Sequence, residues 1–307
     1  MGFSCSVRYR TWQEFAGNLR DIRTSDVVVF HRLQFPVMTR LEPPTELLLL
    51  SSCRTAGKIT VFDIDDAIFL DHPLLTELFA SKCDIVTVGS HQLASFALRW
   101  NKYVQLLPSS VDAGAFRPSL RHRRRGSKCI LSWHGTAYVQ LNSLRILIPV
   151  LKKLATRYDI VFKLLGTMGE TKIQDLFKSI PGLTMDFGPS QWVPYGDLPA
   201  LIEDVDIGLS PLTDTLWSRS KCAMKALEYM SMAIPVVASP VGEHNYLIRD
   251  SVNGLLASSE EEWVRKIGNL IEDRESRDRI GQRARETVLK SYSLGVVAEK
   301  FASIIRE

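Results

Sequence analysis

The stretch from Asp204 to Leu256 decides the fold and reads DVDIGLSPLTDTLWSRSKCAMKALEYMSMAIPVVASPVGEHNYLIRDSVNGLL. Two short apolar runs, Val205–Leu209 and Pro235–Ala238, flank a helical pattern from about Lys221 to Met232. This order predicts a strand, a loop, a helix and a second, parallel strand. Such a unit leaves a helix N-terminus beside the crevice in which α/β proteins bind their ligands.

A continuous helix from Lys221 places Lys221, Lys225 and Glu228 on one narrow face, because each residue advances by about 100°. Ala226 and Met230 take the opposite face and pack inward. A lysine in the first turn is unfavourable unless an anion lies in front of it, since the macrodipole is positive there. A diphosphate suits that position, and the carboxylate suits paired sugar hydroxyls. The alternative is a solvated Lys/Glu face, with pairs that contribute only about 0.2–0.5 kcal/mol each.

The run SRSKCAMKALEYMSMAIPVVASPVG, from residue 218 to residue 242, resembles the C-terminal signature of the family 4 retaining glycosyltransferases (group 1 type). The nearest subgroup pattern is approximately K-S-x-x-K-x-x-E-Y. The resemblance implies that Lys221 and Lys225, with Arg219, bind the donor diphosphate, and that Glu228 binds the nucleotide ribose. Many members carry a further glutamate where this chain has Ser220.

The resemblance also implies the GT-B fold, in which two Rossmann-like doubly wound domains face a cleft. Strands at intervals of about 20 to 30 residues, with helical patterns between them, independently predict parallel α/β sheets. The predicted organisation is an acceptor-side domain over 1–115, a linker over 116–127, a nucleotide-sugar-binding domain over 128–290, and a helix over 291–307 that returns to the first domain. Because about 25 residues precede the first strand, we expect a trimmed N-terminal domain.

Composition fits a globular protein with two cores, at 307 residues, 45% hydrophobic and 23% charged. A net charge of +4 is too small to indicate a nucleic-acid partner. The five cysteines are scattered and lack C-x-x-C spacing, which favours a reduced, intracellular protein over a disulfide framework or a zinc site. With no signal-peptide pattern and no apolar run long enough for a membrane span, the sequence predicts a cytoplasmic protein. Peripheral contact with the inner membrane face stays open.

Three aspartates, Asp63, Asp65 and Asp66, follow the predicted strand Lys58–Asp63. Carboxylates at a strand end could hold Mg²⁺ or Mn²⁺. The resemblance argues against a metal, because GT-B enzymes generally use cations of the protein instead. It makes Asp63 a catalytic candidate, with Asp65, Asp66 and His72 as acceptor-side candidates. Helix capping is the structural alternative for one of the aspartates.

Glycines end the predicted strands of the second domain and give the backbone room beside a ligand. Trp133-His134-Gly135-Thr136 is similar to a turn of the same subgroup, which implies that Gly135 and Thr136 approach the donor phosphates. The loops at Gly166 and Gly188 take the nucleobase side by the same resemblance. One amphipathic helix is predicted over Val139–Arg157.

The basic run of residues 121–125 is interpreted as a solvated linker, with nucleic acid or anionic lipid as alternatives.

These patterns together predict a glycosyltransferase that moves a sugar from a nucleotide diphosphate sugar, its co-substrate, to a glycan, lipid-linked or small-molecule acceptor. The resemblance implies retention of anomeric configuration. No bound cofactor, metal or nucleic acid is expected. Two alternatives remain: an epimerase of nucleotide sugars with the same fold, and a non-catalytic subunit that only binds the donor.

Overall fold

The computed structural model describes residues 15–31, 45–118 and 128–306. The chain divides into two compact units, one of residues 1–107 with 301–307 and one of residues 108–300. The basic run at 121–125 and residues 119–127 of the predicted linker lie outside the described residues. Within the described residues, no helix is long and apolar enough to cross a membrane.

The N-terminal unit contains a parallel sheet of four strands in the order β1-β2-β3-β4. The strands are β1 Val27–His31, β2 Ile59–Ile64, β3 Ile85–Val88 and β4 Val104–Leu106. The helices are α1 Phe15–Thr24, α2 Thr45–Thr55, α3 Ile68–Asp71, α4 Pro73–Lys82 and α5 His91–Ala97. The central strands β2 and β3 are mostly apolar and buried, as expected for a parallel sheet that helices cover.

Aromatic side chains fill the core of this unit. The ring of Phe79 on α4 packs against Phe30 of β1 at 5.2 Å and against Phe62 of β2 at 5.6 Å between centroids. Ser90 caps α5, its hydroxyl accepting a hydrogen bond from the Leu93 amide at 3.2 Å. Serine is a favoured N-cap residue, so the start of α5 follows from the residue type at this position.

The second unit contains a parallel sheet of six strands in the order β10-β9-β8-β5-β6-β7. The strands are β5 Cys129–His134, β6 Ile160–Leu165, β7 Thr184–Asp186, β8 Ile207–Ser210, β9 Val236–Ala238 and β10 Leu255–Leu256. The helices that follow β5 to β8 are α6 Leu141–Arg145, α7 Leu147–Ala155, α8 Thr171–Lys178, α9 Leu198–Ile202, α10 Leu216–Arg219 and α11 Met224–Ser231. The remaining helices of this unit are α12 His244–Leu247, α13 Glu260–Glu272 and α14 Arg274–Ser291. The last helix, α15 Leu294–Ile304, begins in this unit, and its residues from 301 onward are assigned to the N-terminal unit.

The predicted single helix over Val139–Arg157 is wrong, because α6 ends at Arg145 and α7 begins at Leu147. Pro149 explains the break. A proline ring collides with the carbonyl of the residue four positions earlier, here Arg145, and removes one backbone hydrogen bond. The apolar face is nevertheless kept, since Leu144, Leu147 and Leu154 are fully buried.

Close packing between α11 and β8 depends on Gly208. A Cβ at Gly208 would lie 2.4 Å from the ring of Tyr229. The Tyr229 hydroxyl donates to the Ser132 hydroxyl on β5 at 3.1 Å. This contact anchors α11 over the middle of the sheet and sets where the side chains at its first turn lie.

Candidate functional site

Glycine-containing loops meet at the carboxyl ends of β5 and β6. The Gly135 amide donates to the Leu165 carbonyl at 3.2 Å, and the Ala137 amide donates to the Gly166 carbonyl at 3.1 Å. A Cβ on Gly166, whose φ is +89°, would lie 2.0 Å from the Gly135 carbonyl oxygen. Only glycine permits this approach of two backbones. The structure thus brings Gly135, Thr136 and Gly166 together as one loop cluster.

Gly188 belongs to the neighbouring loop, after β7. Its φ is +56°, and a Cβ there would lie 2.4 Å from Leu165. Its amide donates to the Asp186 side chain at 2.9 Å. The glycine therefore lets the loop after β7 turn closely around the end of β6.

The predicted helix from Lys221 is wrong at its start, because α11 begins at Met224. Ala223 precedes it in the left-handed conformation, with φ 55° and ψ 24°, which interrupts any helical path. Lys221 lies in the turn between α10 and α11, where its Nζ is 3.6 Å from the centroid of the Trp217 ring. Lys221, Lys225 and Glu228 do not share one helix face, and Lys225 takes the first turn alone.

Lys225 is partly buried against aromatic surface. Its Nζ lies 4.5 Å from the centroid of the Trp133 ring and donates to the Gln140 side-chain carbonyl at 3.3 Å. Burial lowers the pKa of Lys225 to about 8, against the opposing charge of Glu228 and with a smaller contribution from the charge of Lys221. In the part of the chain that the structure describes, no carboxylate forms an ion pair with Lys225. A desolvated cation at a helix N-terminus is a suitable group for binding an anion.

Glu228 is buried, at 5% exposure, so the alternative of a solvated Lys/Glu face does not hold for this residue. Its Oε2 lies 2.6 Å from Nε2 of His134, which is 6% exposed. The imidazole also meets the Tyr229 ring edge to face at 4.7 Å between centroids. His134 Nδ1 and Trp133 Nε1 have no hydrogen-bond partner among the described residues. The end of β5 therefore brings unsatisfied polar atoms to the same place as Lys225.

Arg219 is engaged outside this cluster. Its Nε and Nη2 donate to the two oxygens of Asp214 at 2.5 and 2.9 Å, and both side chains are exposed. The pair lowers the pKa of Asp214 and raises that of Arg219. A bidentate pair of this kind fixes the guanidinium beside α10.

In the N-terminal unit, Asp63 joins three neighbouring strands. Its Oδ2 lies 2.7 Å from Nδ1 of His31 on β1, and its Oδ1 accepts from the Thr87 hydroxyl on β3 at 2.6 Å. The three residues are in register across the sheet. Both carboxylate oxygens are thus held, and the pairing with His31 was not expected from the sequence pattern.

The other acceptor-side candidates lie just beyond β2. Asp66 Oδ1 accepts from the Ala67 amide at 2.8 Å, a local contact of the capping kind. His72 immediately precedes α4, and its carbonyl accepts from the Thr76 hydroxyl at 2.7 Å. Across the described residues, no cluster of His, Cys, Asp or Glu side chains could hold a metal ion, so Asp63, Asp65 and Asp66 do not form one.

A buried serine–histidine pair lies at the end of β8, where no sequence pattern pointed to it. His244 Nδ1 donates to the Ser239 carbonyl at 2.9 Å, so the neutral ring accepts from the Ser210 hydroxyl at Nε2, 3.0 Å away. Burial lowers the pKa of His244 to about 4, with the charge of Lys225 contributing. The pair supports the backbone next to the lysine site.

Solved structures with the same architecture identify the fold. HepE from Anabaena, in complex with UDP and glucose, matches with a TM-score of 0.71 and 15% identity, over 95% of this chain and 81% of that chain. A glycosyltransferase from Rickettsia africae matches with a TM-score of 0.68 and 14% identity, over 98% and 83%. Sucrose-phosphate synthase from Thermosynechococcus elongatus gives 0.67 and 12%, over 96% and 78%. The chain therefore has the GT-B fold, which confirms the predicted fold class.

A sequence-family model matches most of the second unit. Residues 128–273 match the family model described as "Glycosyl transferases group 1". The matched range contains the loop cluster, Lys221, Lys225 and Glu228. No curated protein sequence matches the chain.

Proposed function

We propose that the protein transfers a sugar from a nucleotide diphosphate sugar to a hydroxyl acceptor, with retention and without a metal ion. One observation carries the proposal: Lys225 lies at a helix N-terminus, desolvated over Trp133 and without an ion-pairing carboxylate in the described chain. A diphosphate is the anion that this position fits. The group 1 family match over the same residues and the UDP complex of HepE support this ligand class.

The proposed roles follow the observed positions. Lys225 neutralises the departing diphosphate, and Lys221 supplies a second cation from the preceding turn. Arg219 is assigned to the edge of this donor site. The Thr136 backbone amide faces the phosphates. Gly135 gives the backbone room beside them, while its own amide stays bonded to the Leu165 carbonyl. The loops at Gly166 and Gly188 border the nucleobase. Glu228 binds the ribose through Oε1, while His134 holds Oε2.

In the reaction, the acceptor oxygen bonds to the anomeric carbon, and the bond from that carbon to the phosphate oxygen breaks. The bonding electron pair leaves with the nucleoside diphosphate, whose charge the lysines stabilise. The acceptor proton passes to the departing phosphate on the same face. Asp63, with Asp65, Asp66 and His72 as further candidates, is assigned to the acceptor side.

Donor binding provides the first test. The dissociation constants of UDP, GDP and ADP are measured by calorimetric titration in EDTA. In a separate unfolding experiment, the preferred nucleotide at 100 times its dissociation constant should raise the free energy of unfolding by about 2.7 kcal/mol. Lys225→Met should weaken the preferred nucleotide about 10- to 100-fold, because a charge-assisted contact is lost. Lys152→Met, at an exposed lysine of α7, is the matched control and should bind like the parent.

Turnover provides the second test. Release of the nucleoside diphosphate with an acceptor panel, unchanged by EDTA, supports transfer. Isomerised donor without transfer indicates the epimerase, and tight donor binding without any turnover indicates the binding subunit. Equal nucleotide affinity of Lys225→Met and the parent would move the donor site elsewhere.

A further inference from the structure

Basic residues collect at the amino-terminal ends of strands β1–β4, here called the amino edge. Because the four strands are parallel, the helices of this unit end at this edge. The basic residues of the amino edge are Arg23, Arg54, Lys58, Lys82, Arg99 and Lys102. Three acidic residues accompany them, namely Asp21, Asp26 and Asp84. Asp84 is turned to the sheet, since Oδ2 accepts from the amide and the hydroxyl of Thr60.

Hydrogen bonds show that the amino edge is one continuous surface. Lys58 Nζ donates to the Arg23 carbonyl at 3.2 Å, which joins the ends of α1 and α2. Arg54 Nη1 donates to the Lys82 carbonyl at 2.5 Å, which joins α2 to α4. The chain after α5 is joined to α4 in turn, because the Asn101 side chain donates to the Cys83 carbonyl at 2.8 Å.

The segment after α5 adds exposed apolar side chains to this charge. Leu98 is 59%, Trp100 37% and Tyr103 58% exposed. The guanidinium of Arg99 lies 5.8 Å from the Trp100 ring centroid, and Lys102 Nζ lies 5.0 Å from that of Tyr103. Cations, two interfacial aromatic residues and a leucine thus alternate within six residues.

We propose that the amino edge binds the surface of a membrane that contains anionic lipids. Lys and Arg attract anionic head groups, while Trp and Tyr partition to the boundary between head groups and acyl chains. An aliphatic side chain that is more than half exposed gains by inserting at that boundary. A nucleic acid uses the positive charge but offers nothing to Leu98, so lipid is the partner that fits all of these residues.

This inference is independent of the proposed glycosyl transfer. The donor residues belong to the other unit, and Asp63, Asp65 and Asp66 lie at the carboxyl end of β2, the opposite end of the same sheet. Vesicle binding can therefore fail while nucleotide binding stands, and the reverse also holds.

The experiment is co-sedimentation of the full chain with vesicles of phosphatidylcholine alone or with about 30% phosphatidylglycerol. We expect binding only to the anionic vesicles, weakened when NaCl is raised from about 50 to about 500 mM. Arg99→Gln/Lys102→Gln should lower the partition coefficient about 10- to 30-fold. Leu98→Ser/Tyr103→Ser should remove the binding that resists salt.

The control is Lys152→Gln/Lys290→Gln, which removes the same charge from exposed residues of α7 and α14 and should bind like the parent. Circular dichroism verifies that each variant is folded. Three results would overturn the proposal: no preference of the parent for anionic vesicles, an equal loss in the control, or tighter binding to an oligonucleotide that depends on Arg99 and Lys102.

Discussion

His134 Nε2 and Glu228 Oε2 lie 2.6 Å apart and are both buried, although 94 positions separate the two residues in the chain. The pair connects the end of β5 to the second turn of α11. It thereby fixes the carboxylate assigned to the ribose against the strand that carries the glycine loop. Removing one partner of such a pair leaves the other buried and unsatisfied.

We therefore expect Glu228→Ala to lower the free energy of unfolding by about 1–3 kcal/mol, measured by urea denaturation. Glu228→Gln should cost less, since its amide oxygen still accepts from His134. A double-mutant cycle with His134→Ala should give a coupling energy of about 0.5–3 kcal/mol. Strictly additive effects would contradict a direct interaction in solution.

Nucleotide affinity should fall at alkaline pH because Lys225 loses its charge early. Its pKa is about 8 in the folded protein, against 10.5 for the ordinary side chain. Above pH 8, binding should weaken by up to about ten-fold per pH unit, and Lys225→Met should remove this dependence. Calorimetric titrations between neutral pH and about pH 10 measure it. A parent profile that stays flat would refute the assignment of Lys225 to the diphosphate.

The same shift makes the opposite prediction for the stability of the free protein. Between pH 8 and 10.5 the unfolded chain holds the Lys225 proton and the folded chain does not. Stability from this residue should rise with pH across that window. Comparing parent and Lys225→Met by thermal unfolding isolates the contribution, and a fall with pH would contradict the burial of the ammonium.

His244 should make the protein acid-sensitive. Its pKa is lowered to about 4 from 6.5, so its stabilising contribution is complete above pH 6.5 and is lost as pH falls towards 4. The loss should be on the order of 3 kcal/mol. His244→Gln should flatten this part of the stability profile in urea denaturation. An unchanged profile in the variant would assign the acid sensitivity to other groups.

Replacing Ala233 by glycine should stabilise the protein. Ala233 has φ 57°, a left-handed conformation that costs an L-residue about 1–2 kcal/mol. Glycine also raises the conformational entropy of the unfolded chain, which offsets part of this relief. The free energy of unfolding should therefore increase by up to about 1 kcal/mol. Ala298→Gly, at an exposed position within α15, is the control and should destabilise by about 1 kcal/mol. Equal losses in both variants would show that Ala233 is not strained.

The predicted strands Val205–Leu209 and Pro235–Ala238 lie within two residues of β8 and β9, because short apolar runs are typical of the buried strands of a parallel sheet. The start of α11 was not predicted correctly from the sequence. The placement of Lys221 and Lys225 on one helix face assumed an unbroken helix, and no sequence pattern indicates the left-handed conformation of Ala223 between them. The N-cap serine of α5, by contrast, was predictable from residue type.

The sequence by itself determined the alternating α/β elements, the glycines at the strand ends and the presence of Lys225 and Glu228 near one helix start. Only the tertiary structure decided that Glu228 is buried against His134, that Lys225 lies over Trp133, and that Asp63 holds His31. The physical reason is the sequence distance over which each kind of interaction acts. Hydrophobic periodicity and turn chemistry act over a few residues, whereas these pairs form only when strands and helices distant in the chain pack side by side and exclude water between them.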